Sequence, residues 1–303
     1  FAPNGEAVVV ENDGQLHCYR LNKKTIKNDW CRAPLTHLRG QQYRAVFTPD
    51  GQSLSFVSDR GDRAFIATLD LIKRKITWRA SDYNIDSVPV YSDDGSKLAF
   101  MRMAGLKTDE TVNVTAAQSM QLIEVDLTSG KANVRFSSGP HAAGFVYARF
   151  ATPLRYGAAG RLIFASEDDG WLRLYALDAD SSQPRALSGS ACEVENFDVA
   201  GTQLIYSGNC AREGAFDAAD LRLNRRDLFR VDVASGQSLR LTTEATPLHV
   251  SPVFADTGRR VGYLASTATT PLRVHADDCA AQCDGAAISS AFDATSITAM
   301  RSP

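Results

Sequence analysis

The stretch from Phe47 to Leu69, FTPDGQSLSFVSDRGDRAFIATL, limits the fold more than any other part of this chain. An aromatic residue leads into Pro49-Asp50-Gly51, a triplet that favours a turn. A largely apolar run follows, Leu54-Ser55-Phe56-Val57. The polar cluster Ser58-Asp59-Arg60-Gly61-Asp62 then reverses the chain into a second run, Phe65 to Leu69. Taken once, this is a hairpin. It recurs, however, at Phe1-Ala2-Pro3-Asn4-Gly5, Tyr91-Ser92-Asp93-Asp94-Gly95 and Phe254-Ala255-Asp256-Thr257-Gly258, and in looser form before Leu162 and Leu204. The marker glycines Gly5, Gly51, Gly95, Gly160, Gly201 and Gly258 are separated by 46, 44, 65, 41 and 57 residues. A several-stranded repeat of roughly 40–50 residues is the signature of a β-propeller. The two wide separations imply insertions. The expectation is all-β: a propeller of about six to eight four-stranded blades, possibly incomplete.

A second marker runs "strand, Asp, small residues, Gly". It ends Val125-Asp126-Leu127-Thr128-Ser129-Gly130 and returns at Val231-Asp232-Val233-Ala234-Ser235-Gly236. Residues 1–303 therefore read as a single propeller domain or a fragment of one. The Ala/Ser-rich tail, 276–303, has little to bury and is expected to be poorly ordered. The polar segment Gly105 to Ala117 reads as an excursion between strands, Gly144 to Phe150 as a strand, and Cys210 to Asp227 as an insertion.

The net charge of -2 gives the whole chain no basic character to attract nucleic acid or an anionic membrane. No stretch approaches the length of apolar sequence that spans a bilayer. The opening residues fall inside a repeat, which suggests a piece of a longer protein.

Six cysteines form three local pairs, Cys18 with Cys31, Cys192 with Cys210, and Cys279 with Cys283. Sequential disulfides are the expected pairing, although six cysteines allow 15 and free buried thiols are the alternative. Disulfides point to a periplasmic or secreted protein. No CxxC is present and the five histidines, His17, His37, His141, His249 and His275, are scattered, so no metal site and no cofactor are expected. Asp93-Asp94, Asp168-Asp169 and Asp277-Asp278 read as turns rather than calcium ligands. Asn113-Val114-Thr115 is a glycosylation sequon of a kind that chance often produces.

The strings VFTPDGQSLSFVSDRG, VPVYSDDGSKLAFM and VSPVFADTGRRVGYL resemble the repeats of TolB-type propellers and, equally, the propeller of the prolyl oligopeptidase (S9) family of serine peptidases. The run DGWLRLYALDADSSQPRALSGSACEVENF, followed by RRDLFRVDVASGQSLRLTTE, is more similar to the peptidases, including dipeptidyl peptidases. That resemblance implies a propeller that restricts access and contributes peptide-substrate contacts to an α/β-hydrolase domain of the same parent chain. The nucleophile-elbow pattern G-x-S-x-G of that hydrolase domain does not occur here, so this chain by itself is expected to be inactive. The adjacent glutamate pair with which dipeptidyl peptidases grip a substrate amine has no counterpart either. Glu193 and Glu195 would share one face of an extended strand and are the weak substrate-contact candidates, with a solvated strand end as the alternative. The competing reading is an independent TolB-like propeller that binds a protein or a small ligand.

Overall fold

The computed structural model describes residues 1–21, 30–31, 34–104, 119–139, 153–190, 193–210, 225–242, 248–255, 258–267 and 269–278. Among them the chain is antiparallel β structure with a single 3-10 turn, Ala158–Gly160, and no α-helix. The expected excursion after Gly105, the strand from Gly144 and most of the insertion after Cys210 lie outside the described residues. Among the described residues no helix is long and apolar enough to cross a membrane.

The chain divides into two compact units. In the first, β1 (Ala7–Asn12) and β2 (Gln15–Arg20) form a hairpin. Then β3 (Gln41–Phe47), β4 (Ser53–Asp59), β5 (Ala64–Asp70) and β6 (Ile76–Arg79) form a four-stranded meander. A second meander follows, β7 (Asn84–Tyr91), β8 (Lys97–Ala104), β9 (Met120–Asp126) and β10 (Ala132–Ser137). A parallel contact between Ala64 and Ile85 ties β5 to β7. The boundary of the second unit falls within β11 (Leu154–Gly157). This strand heads a sheet of order β11-β12-β13-β14, with β12 (Arg161–Ser166), β13 (Arg173–Leu177) and β14 (Arg185–Ala186). Next come β15 (Val194–Ala200), β16 (Gln203–Gly208), β17 (Asp227–Asp232) and β18 (Ser238–Arg240), then the three-stranded β19 (Leu248–Ala255), β20 (Arg260–Ser266) and β21 (Arg273–Asp277).

The turn markers act as local locks. Thr48 Oγ1 donates to Asp50 Oδ1 at 2.6 Å, and the same carboxylate accepts the Gln52 N–H at 3.0 Å. Thr48 Oγ1 also accepts the Ser53 N–H at 3.0 Å, closing the turn onto the next strand. Ser92, Asp94, Ser96 and Lys97 reproduce these bonds at 2.6, 3.0 and 3.0 Å. Gly51 and Gly95 take φ of 68° and 70°, which a side chain would disfavour. The second marker works alike: Asp126 Oδ1 accepts the Ser129 N–H at 2.7 Å and Asp232 Oδ1 that of Ser235 at 2.8 Å.

Strand alternation then divides the apolar residues between two faces. Leu54, Phe56, Ala67 and Leu69 pack with Ala7, Leu16 and Cys18. From the same strands Val57, Ala64 and Ile66 pack with Leu98, Phe100, Ile123 and Val125. An aromatic residue marks the centre of each second strand, at Phe56, Phe100, Phe164, Tyr206 and Tyr263, and each is buried.

Cys18 and Cys31 are joined by a disulfide. Cys210 is disulfide-bonded as well. Cys192, Cys279 and Cys283 lie outside the described residues, as do the Asn113 sequon and 279–303.

Candidate functional site

The first strand of several sheets departs from regular pairing at one place. Register slips between Tyr43 and Val46 in β3, Ser87 and Val90 in β7, Val194 and Asn196 in β15, and Val250 and Val253 in β19. These are β-bulges, which re-aim side chains and recur beside functional sites. In three of them a non-glycine residue holds the left-handed conformation: Arg44 at φ 53°, Val88 at 54° and Ser251 at 53°. Such a residue costs on the order of 1–3 kcal/mol and persists only where its surroundings enforce it.

Two residues earlier each time lies a buried polar side chain: Gln42, Asp86 or His249. Gln42 Nε2 donates to Arg39 O at 3.1 Å. Asp86 receives Arg102 Nε at 2.7 Å and Nη2 at 2.9 Å, and the same guanidinium donates to Ala80 O at 2.6 Å. His249 Nδ1 lies 3.3 Å from Arg226 O. Each therefore fastens the chain segment that leads into its own or a neighbouring strand. Burial pushes the Asp86 carboxyl above its ordinary range, and Arg102 opposes that shift.

In β15 the extra residue is Glu195. Val194 and Phe197, three apart, are both buried, so the alternation slips here. Glu193 stands just ahead of the strand, with its N–H donating to Asn209 Oδ1 at 2.7 Å. The regular alternation that would place Glu193 and Glu195 on one face is thus broken between them. Glu195 instead accepts Arg226 Nε at 2.6 Å. Arg226 connects three elements. It immediately precedes β17, its side chain holds β15, and its carbonyl accepts the His249 N–H of β19 at 2.8 Å. His249 lies 5.9 Å from the Tyr263 ring, which stacks on His275 at 5.3 Å. Burial lowers the pKa of His249 below its ordinary 6.5.

The Glu195–Arg226 pair is partly exposed, at 26% and 18% of the side chains. A partly exposed ion pair can meet a polar or charged group. The buried histidine faces a carbonyl and a tyrosine, an arrangement for holding strands. Among the described residues no group of three or more His, Cys, Asp or Glu is placed to hold a metal ion. Asp94 is drawn down to about 2 by its bonds to Ser92 and Ser96, as a turn lock would be. Asp169 pairs with Arg173, and Asp278 lies 3.8 Å from Arg260. A second ionic cluster lies in the first unit, where Glu124 takes Arg135 Nη1 at 2.6 Å and the Tyr156 hydroxyl at 2.8 Å. Burial, then Glu124, push the Tyr156 phenol upward.

Sequence reasoning singled out Glu195 but not Arg226, its partner 31 residues later. The available signal was the Val88-Pro89 and Ser251-Pro252 pairs, which mark two of the bulges and, two residues back, Asp86 and His249.

Comparison with known proteins places these features. No curated protein matches the sequence. Among solved structures, an oligogalacturonate lyase from Vibrio parahaemolyticus superposes with a TM-score of 0.64 at 13% identity, over 97% of this chain and 77% of that one. A puromycin-hydrolyzing peptidase from Mycobacterium tuberculosis gives 0.63 at 15% identity, over 93% of this chain and 42% of that one. TolB from Acinetobacter baumannii gives 0.52 at 16%, over 90% and 60%. At these identities the likeness shows the fold alone, a propeller-type domain, and one fold hosts many functions. The family model described as the dipeptidyl peptidase IV (DPP IV) N-terminal region matches residues 115–272, a span that holds Glu124, Glu195, Arg226 and His249. That match covers more than half of the 303 residues, and the chain belongs to the dipeptidyl peptidase IV N-terminal region family.

Proposed function

We propose that this chain is the non-catalytic propeller of an S9-like serine peptidase, exported to the periplasm or secreted. It restricts access to a hydrolase domain carried by the same parent polypeptide and contributes contacts to a peptide substrate. The observation that carries this reading is the family match over residues 115–272. The chain spans 42% of the peptidase it superposes on, which leaves room in such a parent for a second domain. The Cys18–Cys31 disulfide supports the exported location. In this reading Glu195 and Arg226 offer paired charges to a substrate's polar end, and the bulge in β15 sets their direction.

The test is the full-length parent. Its gene is expected to encode G-x-S-x-G beyond Pro303, followed by Asp and His, and its product to react with a fluorophosphonate and cleave dipeptidyl chromogenic substrates. The present chain by itself is expected to do neither. The likeness to TolB favours a second reading, a binding module with no hydrolase partner. A full-length product that lacks the serine motif and resists the fluorophosphonate selects that alternative.

A further inference from the structure

The first hairpin repeats the middle of the larger sheets bond for bond. The Ala2 N–H donates to Ala7 O at 2.8 Å and the Gly5 N–H to Ala2 O at 2.9 Å. Thr48 and Gly51 make the same bonds, to Ser53 O and Thr48 O, both at 2.9 Å. At the other end the Leu21 N–H donates to Glu6 O at 2.9 Å, as that of Leu71 does to Gln52 O at 3.0 Å. On this correspondence β1 stands where β4 stands, β2 where β5 stands, and Phe1 where Phe47 ends β3.

The flanking differs. β4 lies between β3 and β5, whereas β1 pairs with β2 alone among the described residues. With Ala7 O bonded to the turn, strand alternation directs the N–H and C=O of Val9 and Glu11 to that same side. Burial follows the pairing. β4 is buried from Leu54 to Ser58, while Val10, Tyr19 and Leu21 are 38%, 49% and 53% exposed and Phe1 83%. A run of three valines on an open edge is a template for another strand.

We propose that the open side of β1 is a strand-binding edge, occupied by an extended segment of the same polypeptide that leads into Phe1 and runs antiparallel to β1 as β3 does to β4. The turn already holds Phe1 at the end of that path. A segment joined to the edge through so short a turn has a far higher effective concentration than a second copy of the chain. The ring of Phe1 then takes the half-buried place that Phe47 holds. This inference is independent of whether a hydrolase domain accompanies the propeller.

Amide hydrogen exchange on two proteins tests it. One starts at Phe1; the other carries the natural residues encoded ahead of it, about ten, enough for one strand. In the longer protein the amides of Val9 and Glu11 are expected to exchange at least about tenfold more slowly, with the added residues protected too. Unchanged rates at Val9 and Glu11 would overturn the proposal. So would protection that rises with protein concentration alongside a dimer in light scattering, because the occupant would then be a second copy.

Discussion

In the first unit the aromatic residue at the centre of a second strand stands opposite an aliphatic one: Phe56 faces Ala67, and Phe100 faces Ile123. In the second unit it stands beside another ring. Phe164 stacks on Tyr175 at 5.8 Å, Tyr206 on Phe229 at 4.9 Å, and Tyr263 on His275 at 5.3 Å, with interplanar angles of 26°, 13° and 15°. The ionic contacts differ as well. The first unit buries Asp86 against Arg102 and Glu124 against Arg135; the second buries Asp227 against Arg240 and leaves the Glu195–Arg226 pair more open. The same repeat thus centres on a ring against an aliphatic residue in one unit and on ring against ring in the other, with buried charge in both. The Glu195–Arg226 pair belongs to the second unit, which also holds most of the family match.

Removing one partner of a buried pair should give the largest effect. Asp86→Ala leaves Arg102 buried without its carboxylate and is expected to cost about 3–5 kcal/mol. Urea unfolding followed through Trp78 in the first unit and Trp171 in the second should place that loss in the first. An equal loss at Trp171 would erase the distinction between the units. Replacing Cys18 and Cys31 together by Ser should remove roughly 2–4 kcal/mol, again from the first unit. A double-mutant cycle on Tyr206→Leu and Phe229→Leu should return a coupling of about 0.5–1.5 kcal/mol. A coupling as large between Phe100 and Ile123 would show that the rings add nothing special. Glu195→Gln, at a partly exposed pair, should cost no more than about 1 kcal/mol. On the proposed peptidase reading, the same change in the full-length parent should raise KM for peptide substrates more than it lowers kcat.

The smallest effect is expected from pH. Burial depresses the pKa of His249, so between that value and 6.5 the unfolded chain binds a proton that the folded chain does not. The contribution is fully present above 6.5 and declines as pH falls toward the folded value. His249→Gln should flatten this slope in the second unit and leave the first unchanged.

The turns were legible in the sequence because Pro49-Asp50-Gly51 and Asp93-Asp94-Gly95 act through bonds to residues beside them. The strands between them were legible from apolar runs for the same local reason. The bulges were not, because Val88 is a residue whose own preferences oppose a positive φ, and the Asp86–Arg102 pair beside it forms only across strands. Glu195 was visible as a carboxylate, but its direction depended on a register slip and its partner on the pairing of β15, β16 and β17. Period-two counting has no access to either.

The turn locks have a consequence for how such chains change. Thr48, Asp50 and Ser53 set the register of one hairpin with no help from the next, and Ser92, Asp94 and Lys97 do so again. Duplicating or deleting a whole repeat therefore leaves the pairing inside every remaining repeat intact. Such a lineage can lengthen or shorten in steps of one cassette, and its hairpins can nucleate in any order as the chain emerges during synthesis.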